Sequence, residues 1–100
     1  NSVVDFERAA QHLERAAAEG SAEAMRQRGI MYMGVFGLKK DIPKAMPWLA
    51  KAVKAGNAEA AENLAGLYMT GDGVAVDRCR AARYFRTAVE LGRPEALRWV

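Results

Sequence analysis

Apolar residues recur at three- and four-residue spacing along most of the chain, which is the spacing of one buried face on an α-helix. The stretches AEAAENLAGLYM (58–69) and DRCRAARYFRTAVELG (77–92) both have this pattern. The second stretch opens on Asp77, a good N-cap residue, and closes at Gly92, which tolerates a left-handed C-terminal position. The pattern predicts helices near 2–19, 22–34, 42–55, 58–70 and 78–91, with a shorter piece from residue 94.

The whole pattern repeats at an offset of 36 residues without a gap. Glycines, acids and alanines coincide in this register: Gly20, Gly56 and Gly92; Asp5, Asp41 and Asp77; Ala9, Ala45 and Ala81. Residues 21–56 and 57–92 form two complete units, 5–20 form a trailing half unit, and 93–100 begin another unit. We expect all of them to belong to a single domain over residues 1–100.

A helix, a short glycine turn and a second helix at a fixed period are typical of an α-solenoid, in which each hairpin buries its apolar side against its neighbours. Alanine supplies 20 of the 100 residues and aromatic residues only 8%. Small side chains let helix backbones approach closely. The sequence therefore predicts an all-α fold, a right-handed superhelix of antiparallel helical hairpins.

The second unit resembles the Sel-1-like repeat, a tetratricopeptide-like unit. The residues that fit its pattern are Leu64, Tyr68, Gly71, Gly73, Val74, Asp77, Ala81, Phe85, Ala88 and Gly92. The first unit departs from it, since Arg28 stands where leucine belongs and Val35 where a turn glycine belongs. The resemblance covers essentially the whole chain and implies a non-catalytic adaptor or scaffold that holds a partner peptide or domain in a concave groove.

The loop GDGVAVD (71–77) invites comparison with a calcium loop or a phosphate cradle. Asp72 aligns with Phe36 in the other unit, however, and valine and alanine stand where a calcium loop needs further oxygen ligands. The features that recur are a glycine and the capping acid Asp77, which are turn chemistry. We therefore expect no metal and no cofactor.

The sequence contains no evident set of catalytic residues. His12 is the only histidine and aligns with Trp48 and Tyr84, so we expect its ring to pack between helices. Cys79 is the only cysteine and lies at a position expected to face water. No nucleophile has an assignable base, and the chain is predicted not to be an enzyme.

Pro47 lies inside the predicted helix over 42–55. It removes one amide donor and crowds the carbonyl of Pro43, so we expect a late start or a kink there.

The net charge of +3 is mild, and 15 basic residues are mixed with 12 acidic ones, so nucleic acid binding is not expected. No apolar run of about 18 residues is present, so membrane insertion is not expected. Arg8, Lys44 and Arg80 recur at the period and predict a basic column. Nearby cations could add to it: Lys51, Lys54, Arg83 and Arg86. The column could attract an acidic partner, although charge runs more often only hydrate a surface.

Partner binding is predicted on the stripe of the first helices that faces away from the core. Its members are Arg26, Gln27, Ile30 and Met33 in one unit and Glu62, Asn63, Gly66 and Met69 in the next. Ile30 and Met33 have no evident role in the core, and methionine suits adaptable contact surfaces. Phe36 in the turn and Trp99 near the end are further candidates.

Two other functions stay open beside the scaffold. The chain could be a structural spacer that self-associates through its exposed repeat ends, or a regulatory domain of a larger enzyme. The alanine- and arginine-rich composition favours a bacterial source, and the compartment stays open.

Overall fold

The computed structural model describes residues 2–34 and 39–92, which form five α-helices. In chain order they are α1 (Ser2–Ala18), α2 (Ala22–Met31), α3 (Ile42–Lys54), α4 (Ala58–Thr70) and α5 (Arg78–Glu90). Successive helices pack on each other, with α2 and α3 as one hairpin and α4 and α5 as the next. The molecule is elongated, 41 × 26 × 19 Å. The predicted helical solenoid is confirmed.

The connection between the two hairpins uses only three residues, Ala55, Gly56 and Asn57. Gly56 adopts a left-handed φ of +97°. Its amide bonds the carbonyl of Val53 at 2.9 Å, and the amide of Asn57 bonds the carbonyl of Ala52 at 2.9 Å, which together form a Schellman motif. The Asn57 side chain then accepts from the amide of Ala60 at 2.8 Å and caps α4. One helix thus ends where the next begins.

The loop between α4 and α5 has the turn geometry expected of its glycines and its acid. Gly71 and Gly73 both have φ of +74°, a conformation that favours glycine. A Cβ on Gly73 would lie only 2.6 Å from Cβ of Ile42, so the loop backbone rests directly on the start of α3. The Asp77 side chain accepts from the amide of Arg80 at 3.0 Å and caps α5.

Helix α2 ends earlier than predicted, at Met31 and not at residue 34. In the other hairpin, α4 ends on the left-handed Gly71. The position equivalent to Gly71 is Val35, a β-branched residue that disfavours positive φ. Among the described residues of this turn, Gly34, one position earlier, is left-handed, with φ of +88°. The chain therefore leaves the helix sooner in the first hairpin.

Two clusters of buried side chains hold the hairpins together. The larger core cluster consists of Ile42, Ala45, Leu49, Ala52, Ala60, Leu64 and Leu67. The smaller core cluster consists of Ala61, Ala65, Ala81, Phe85 and Ala88. Val53 and Tyr84 pack against both clusters, so α3 and α5 share a core with α4.

The prediction that His12 packs between helices is wrong, because its side chain is exposed. The aligned rings are half-buried because the first helix of their own hairpin supplies a neighbour. Tyr84 stacks on Tyr68 of α4, with ring centroids 6.0 Å apart, and Trp48 lies beside Arg28 of α2. His12 lies on α1, which packs against the hairpin that follows it.

Pro47 does not delay its helix. α3 begins at Ile42, directly after its N-cap Asp41, and continues through Pro47 to Lys54. Pro47 is exposed, so the carbonyl that loses its amide partner lies on the water side of the helix. The late start is therefore wrong, and a kink at Pro47 stays a prediction.

Candidate functional site

One side of α2 and of α4 takes no part in the core clusters. Its residues recur at intervals of three and four, as one face of each helix requires. We call this surface the first-helix face and define it by Glu23, Arg26, Gln27 and Ile30 of α2 with Glu59, Glu62, Asn63, Gly66 and Met69 of α4.

Arg26 ties the two helices of this face together. Its guanidinium donates to the Glu23 carboxylate at 2.8 Å and lies 3.3 Å from the Glu59 carboxylate across the gap. It also donates to Oδ1 of Asn63 at 3.4 Å. Only 16% of the Arg26 side chain is exposed. The predicted site residues Arg26 and Asn63 are therefore brought into contact.

Glu23 is the acceptor at the centre of the same network. The hydrogen bond from Arg26 is the main cause that lowers the pKa of Glu23 from 4.5 to about 2, against a smaller opposing effect of burial. Asn57 Nδ2 and Gln27 Nε2 also donate to this carboxylate, at 2.9 and 3.1 Å. Glu23 is thus ionised at all ordinary pH values, and Asn57 couples it to the N-terminus of α4.

The remaining predicted residues of the face differ in exposure. Gln27 is exposed, and 36% of Met69 is exposed, which is high for a large apolar residue. Ile30, Glu62 and Asn63 are half-buried. The face therefore offers one accessible apolar side chain among amide and carboxylate groups.

Met33 is not free for partner binding in the way the sequence suggested. Because α2 ends at Met31, Met33 lies in the following turn, where it is half-buried and packs against the larger core cluster. Phe36 and Trp99, the two other aromatic or turn candidates, lie outside the residues that the structure describes.

Gly66 forms a gap in the middle of the face. It lies within α4, and a Cβ built on it would meet no atom within 4 Å apart from its own helix and its chain neighbours. The equivalent position on α2 is Ile30, which is half-buried. One turn after Gly66, the Thr70 hydroxyl donates to the Gly66 carbonyl at 2.9 Å. The surface above Gly66 is thus open.

A comparison with protein families matches the Sel1 repeat three times, over residues 2–21, 22–57 and 58–92. The chain belongs to the Sel1 repeat family. Sel1 repeat proteins are generally protein-interaction scaffolds and typically non-enzymatic.

Solved structures of bacterial Sel1-type proteins resemble the fold closely. A Sel1 repeat protein from Oxalobacter formigenes is 26% identical with a TM-score of 0.78, over 87% of this chain and 36% of its own. A protective antigen of uropathogenic Escherichia coli strains, which displays an SLR fold, is 31% identical with a TM-score of 0.77, over 87% and 19%. Cysteine rich protein B of Helicobacter pylori is 26% identical with a TM-score of 0.86, over 100% and 75%.

The chain therefore spans about a third of the length of the Oxalobacter protein and about a fifth of the Escherichia antigen. Among curated proteins, no significant sequence match is found.

Three members of the Arg26 network were absent from the predicted site, namely Glu23, Asn57 and Glu59. Two of them could have been found from the sequence, because Glu23 and Glu59 occupy equivalent positions in the 36-residue repeat. Asn57 was recognisable only as an N-cap, and its second role, donation to Glu23, depends on how closely the two Sel1 units stack.

In the first Sel1 unit, Arg28 takes the place that the buried Leu64 has in the second. Its guanidinium donates to Glu14 of α1 at 2.9 Å and to the Tyr32 hydroxyl at 2.9 Å. It also lies 4.6 Å from the centre of the Tyr32 ring, a cation–π distance. Only 13% of the Arg28 side chain is exposed. This cluster joins α1 to α2 and explains how an arginine is tolerated at a leucine position.

The glycine loop does not gather ligands for a metal ion. Asp72 pairs with Lys40, which belongs to the connection before α3. Within residues 2–34 and 39–92, no three His, Cys, Asp or Glu side chains are grouped in a way that could hold a metal. In the same ranges, no helix combines the length and apolar character needed to cross a membrane.

Proposed function

We propose that the chain is a non-catalytic scaffold that binds a partner peptide or protein domain on the first-helix face, which would be the concave wall of the solenoid. Membership of the Sel1 repeat family supports this function, since its members are generally interaction scaffolds. The choice of the face is argued from the residues below.

The open space above Gly66 is the observation that best supports the proposal. A glycine within a helix costs about 0.5–1 kcal/mol relative to alanine. Gly29, the other such glycine, is required by packing, since a Cβ there would lie 2.9 Å from Cγ of Leu49. At Gly66 nothing in the described chain occupies the space. An open site kept at a cost in helix stability suits the close approach of a partner backbone.

The neighbours of Gly66 supply the groups that such a partner needs. Met69 lies one turn after it and offers an exposed, adaptable apolar contact. Asn63 lies one turn before it and provides an amide that can bond a peptide backbone. Arg26 locks α2 to α4 across the face, so the surface is formed before binding and little ordering cost is added.

The test compares two single substitutions that add the same side chain. Gly66→Gln fills the open site, and Ala9→Gln adds glutamine at an exposed position of α1. Peptides are selected from a random library displayed on phage with the wild-type domain, and their affinities are measured by fluorescence anisotropy. Circular dichroism checks that both variants keep their helices, which Gly66→Gln should even strengthen.

We expect Gly66→Gln to weaken the selected peptides by at least about tenfold, which is roughly 1.4 kcal/mol. Met69→Asp should do the same, whereas Ala9→Gln should leave binding unchanged. If the peptides bind all variants equally well, the first-helix face is not the binding site. If selection yields no binder, the scaffold function itself loses support.

A further inference from the structure

The charges of the chain are divided unequally between its two layers of helices. α2 and α4 together carry three glutamates and two arginines. α3 carries three lysines and no acid, and α5 carries four arginines and one glutamate. The excess positive charge of the chain is thus concentrated on α3 and α5.

The two layers also differ in how their cations are neutralised. On α2, Arg26 is paired with Glu23 and Glu59, and Arg28 with Glu14. On α3 and α5, five exposed cations form no ion pair with the described part of the chain: Lys51, Lys54, Arg78, Arg83 and Arg86. No ion pair within the described residues therefore neutralises their charges.

These cations lie on two helices that both pack on α4. Val53 of α3 and Tyr84 of α5 each pack against both core clusters, so the two helices share one core with α4. α3 also carries two small exposed residues, Pro47 and Ala50, one turn before Lys51 and Lys54. We call the surface of Lys51, Lys54, Arg83 and Arg86 with these two residues the basic outer face.

We propose that the basic outer face docks an acidic protein segment, one rich in aspartate and glutamate. Exposed cations that form no ion pair within the described residues attract carboxylates and speed their encounter. The small exposed residues Pro47 and Ala50 leave room for a polypeptide to lie close to α3 beside Lys51 and Lys54. This binding surface is separate from the first-helix face and does not depend on it.

Two other polyanions fit the surface less well. Single-stranded nucleic acid needs free aromatic faces for base stacking. Here Trp48 is flanked by Arg28 at 5.9 Å and Lys51 at 5.2 Å, and Tyr84 is stacked on Tyr68. A membrane surface needs a second, apolar signal beside the charge for stable binding. Among the described residues of α3 and α5, none is an exposed large apolar residue.

The experiment measures the binding of fluorescein-labelled poly-glutamate by anisotropy, with a poly-glutamine peptide of equal length as the uncharged comparison. Arg83→Glu combined with Arg86→Glu reverses two charges on the basic outer face. Lys39→Glu combined with Lys40→Glu makes the same change in net charge on the exposed connection before α3, outside the two helices that carry the basic outer face. Vesicles with phosphatidylserine and single-stranded oligothymidine are titrated in parallel.

We expect poly-glutamate to bind the wild type, to bind roughly tenfold more weakly to the α5 double variant, and to lose affinity as salt rises. The variant with Lys39→Glu and Lys40→Glu should stay within about twofold of the wild type, because the surface and not the net charge is decisive. Gly66→Gln should have no effect, which separates this proposal from the first one.

Three results would overturn the proposal. These are no binding of poly-glutamate, equal losses in the two double variants, and tighter binding of the vesicles or of oligothymidine through Arg83 and Arg86.

Discussion

The two glycines inside helices allow a matched test of the packing, because the same substitution should have opposite effects at each. Gly66→Ala introduces a methyl group into open space, and Gly29→Ala introduces one against the buried Leu49. Both variants gain the same helix propensity, about 0.5–1 kcal/mol. Their difference therefore isolates the cost of packing.

The contact at Gly29 is severe. A Cβ there would lie 2.9 Å from Cγ and 3.1 Å from Cδ2 of Leu49, and 3.2 Å from Cβ of Trp48. Leu49 has no exposed surface, so its branch point cannot move aside without disturbing the larger core cluster. Overpacking of this kind costs about 1–3 kcal/mol. We expect Gly29→Ala to be destabilised by about 1 kcal/mol after the gain in propensity is included.

Thermal unfolding followed by circular dichroism measures both variants against the wild type. Gly66→Ala should raise the melting temperature by about 2–8 °C, and Gly29→Ala should lower it. A Gly29→Ala variant stabilised as much as Gly66→Ala would refute the reasoning. It would mean that α2 and α3 can move apart to the spacing of the second hairpin, in which Ala65 occupies the equivalent position.

Three further predictions concern single side chains, each checked by urea unfolding. Gly73→Ala should cost about 2–4 kcal/mol, because φ of +74° strains alanine and its Cβ would collide with Ile42; no loss would contradict the close contact. Arg28→Leu should stay within about 1 kcal/mol of the wild type and lose its salt dependence, since an apolar residue can replace a partly buried ion pair, and a large loss would refute this. Glu23→Gln should cost less than about 1 kcal/mol at neutral pH, because 46% of the Glu23 side chain is exposed. The folded pKa of about 2 lies below 4.5, so this stabilisation is present above pH 4.5 and is lost as the pH falls towards 2, where the variant should match the wild type.

The repeat architecture was accessible from local signals alone. Asp77 caps α5 as predicted, and Gly56 and Gly92 adopt the left-handed conformation expected at helix ends. A cap or a helix-ending glycine depends only on residues close to it in the chain. The same local structure therefore recurs wherever the 36-residue repeat places the same residue.

The early end of α2 shows that the 36-residue repeat alone does not predict where every helix ends. Val35 was recognised as a departure from the pattern, yet the helix was still predicted to reach residue 34. The left-handed turn moved to Gly34, and Met33 moved with it from the first-helix face towards the larger core cluster. A change at one turn position thus altered the membership of the candidate site.

What the amino-acid sequence determined by itself is the period, the helices, their caps and the side of each helix that avoids the core, because these follow from local backbone preferences and helical spacing. What only the tertiary structure decided is which neighbour covers or pairs with each side chain. Arg26 reaches Glu59 across two units, Arg28 reaches Glu14, and His12 is left exposed. Such contacts depend on the distance and angle between stacked hairpins, which no pattern along a single helix contains.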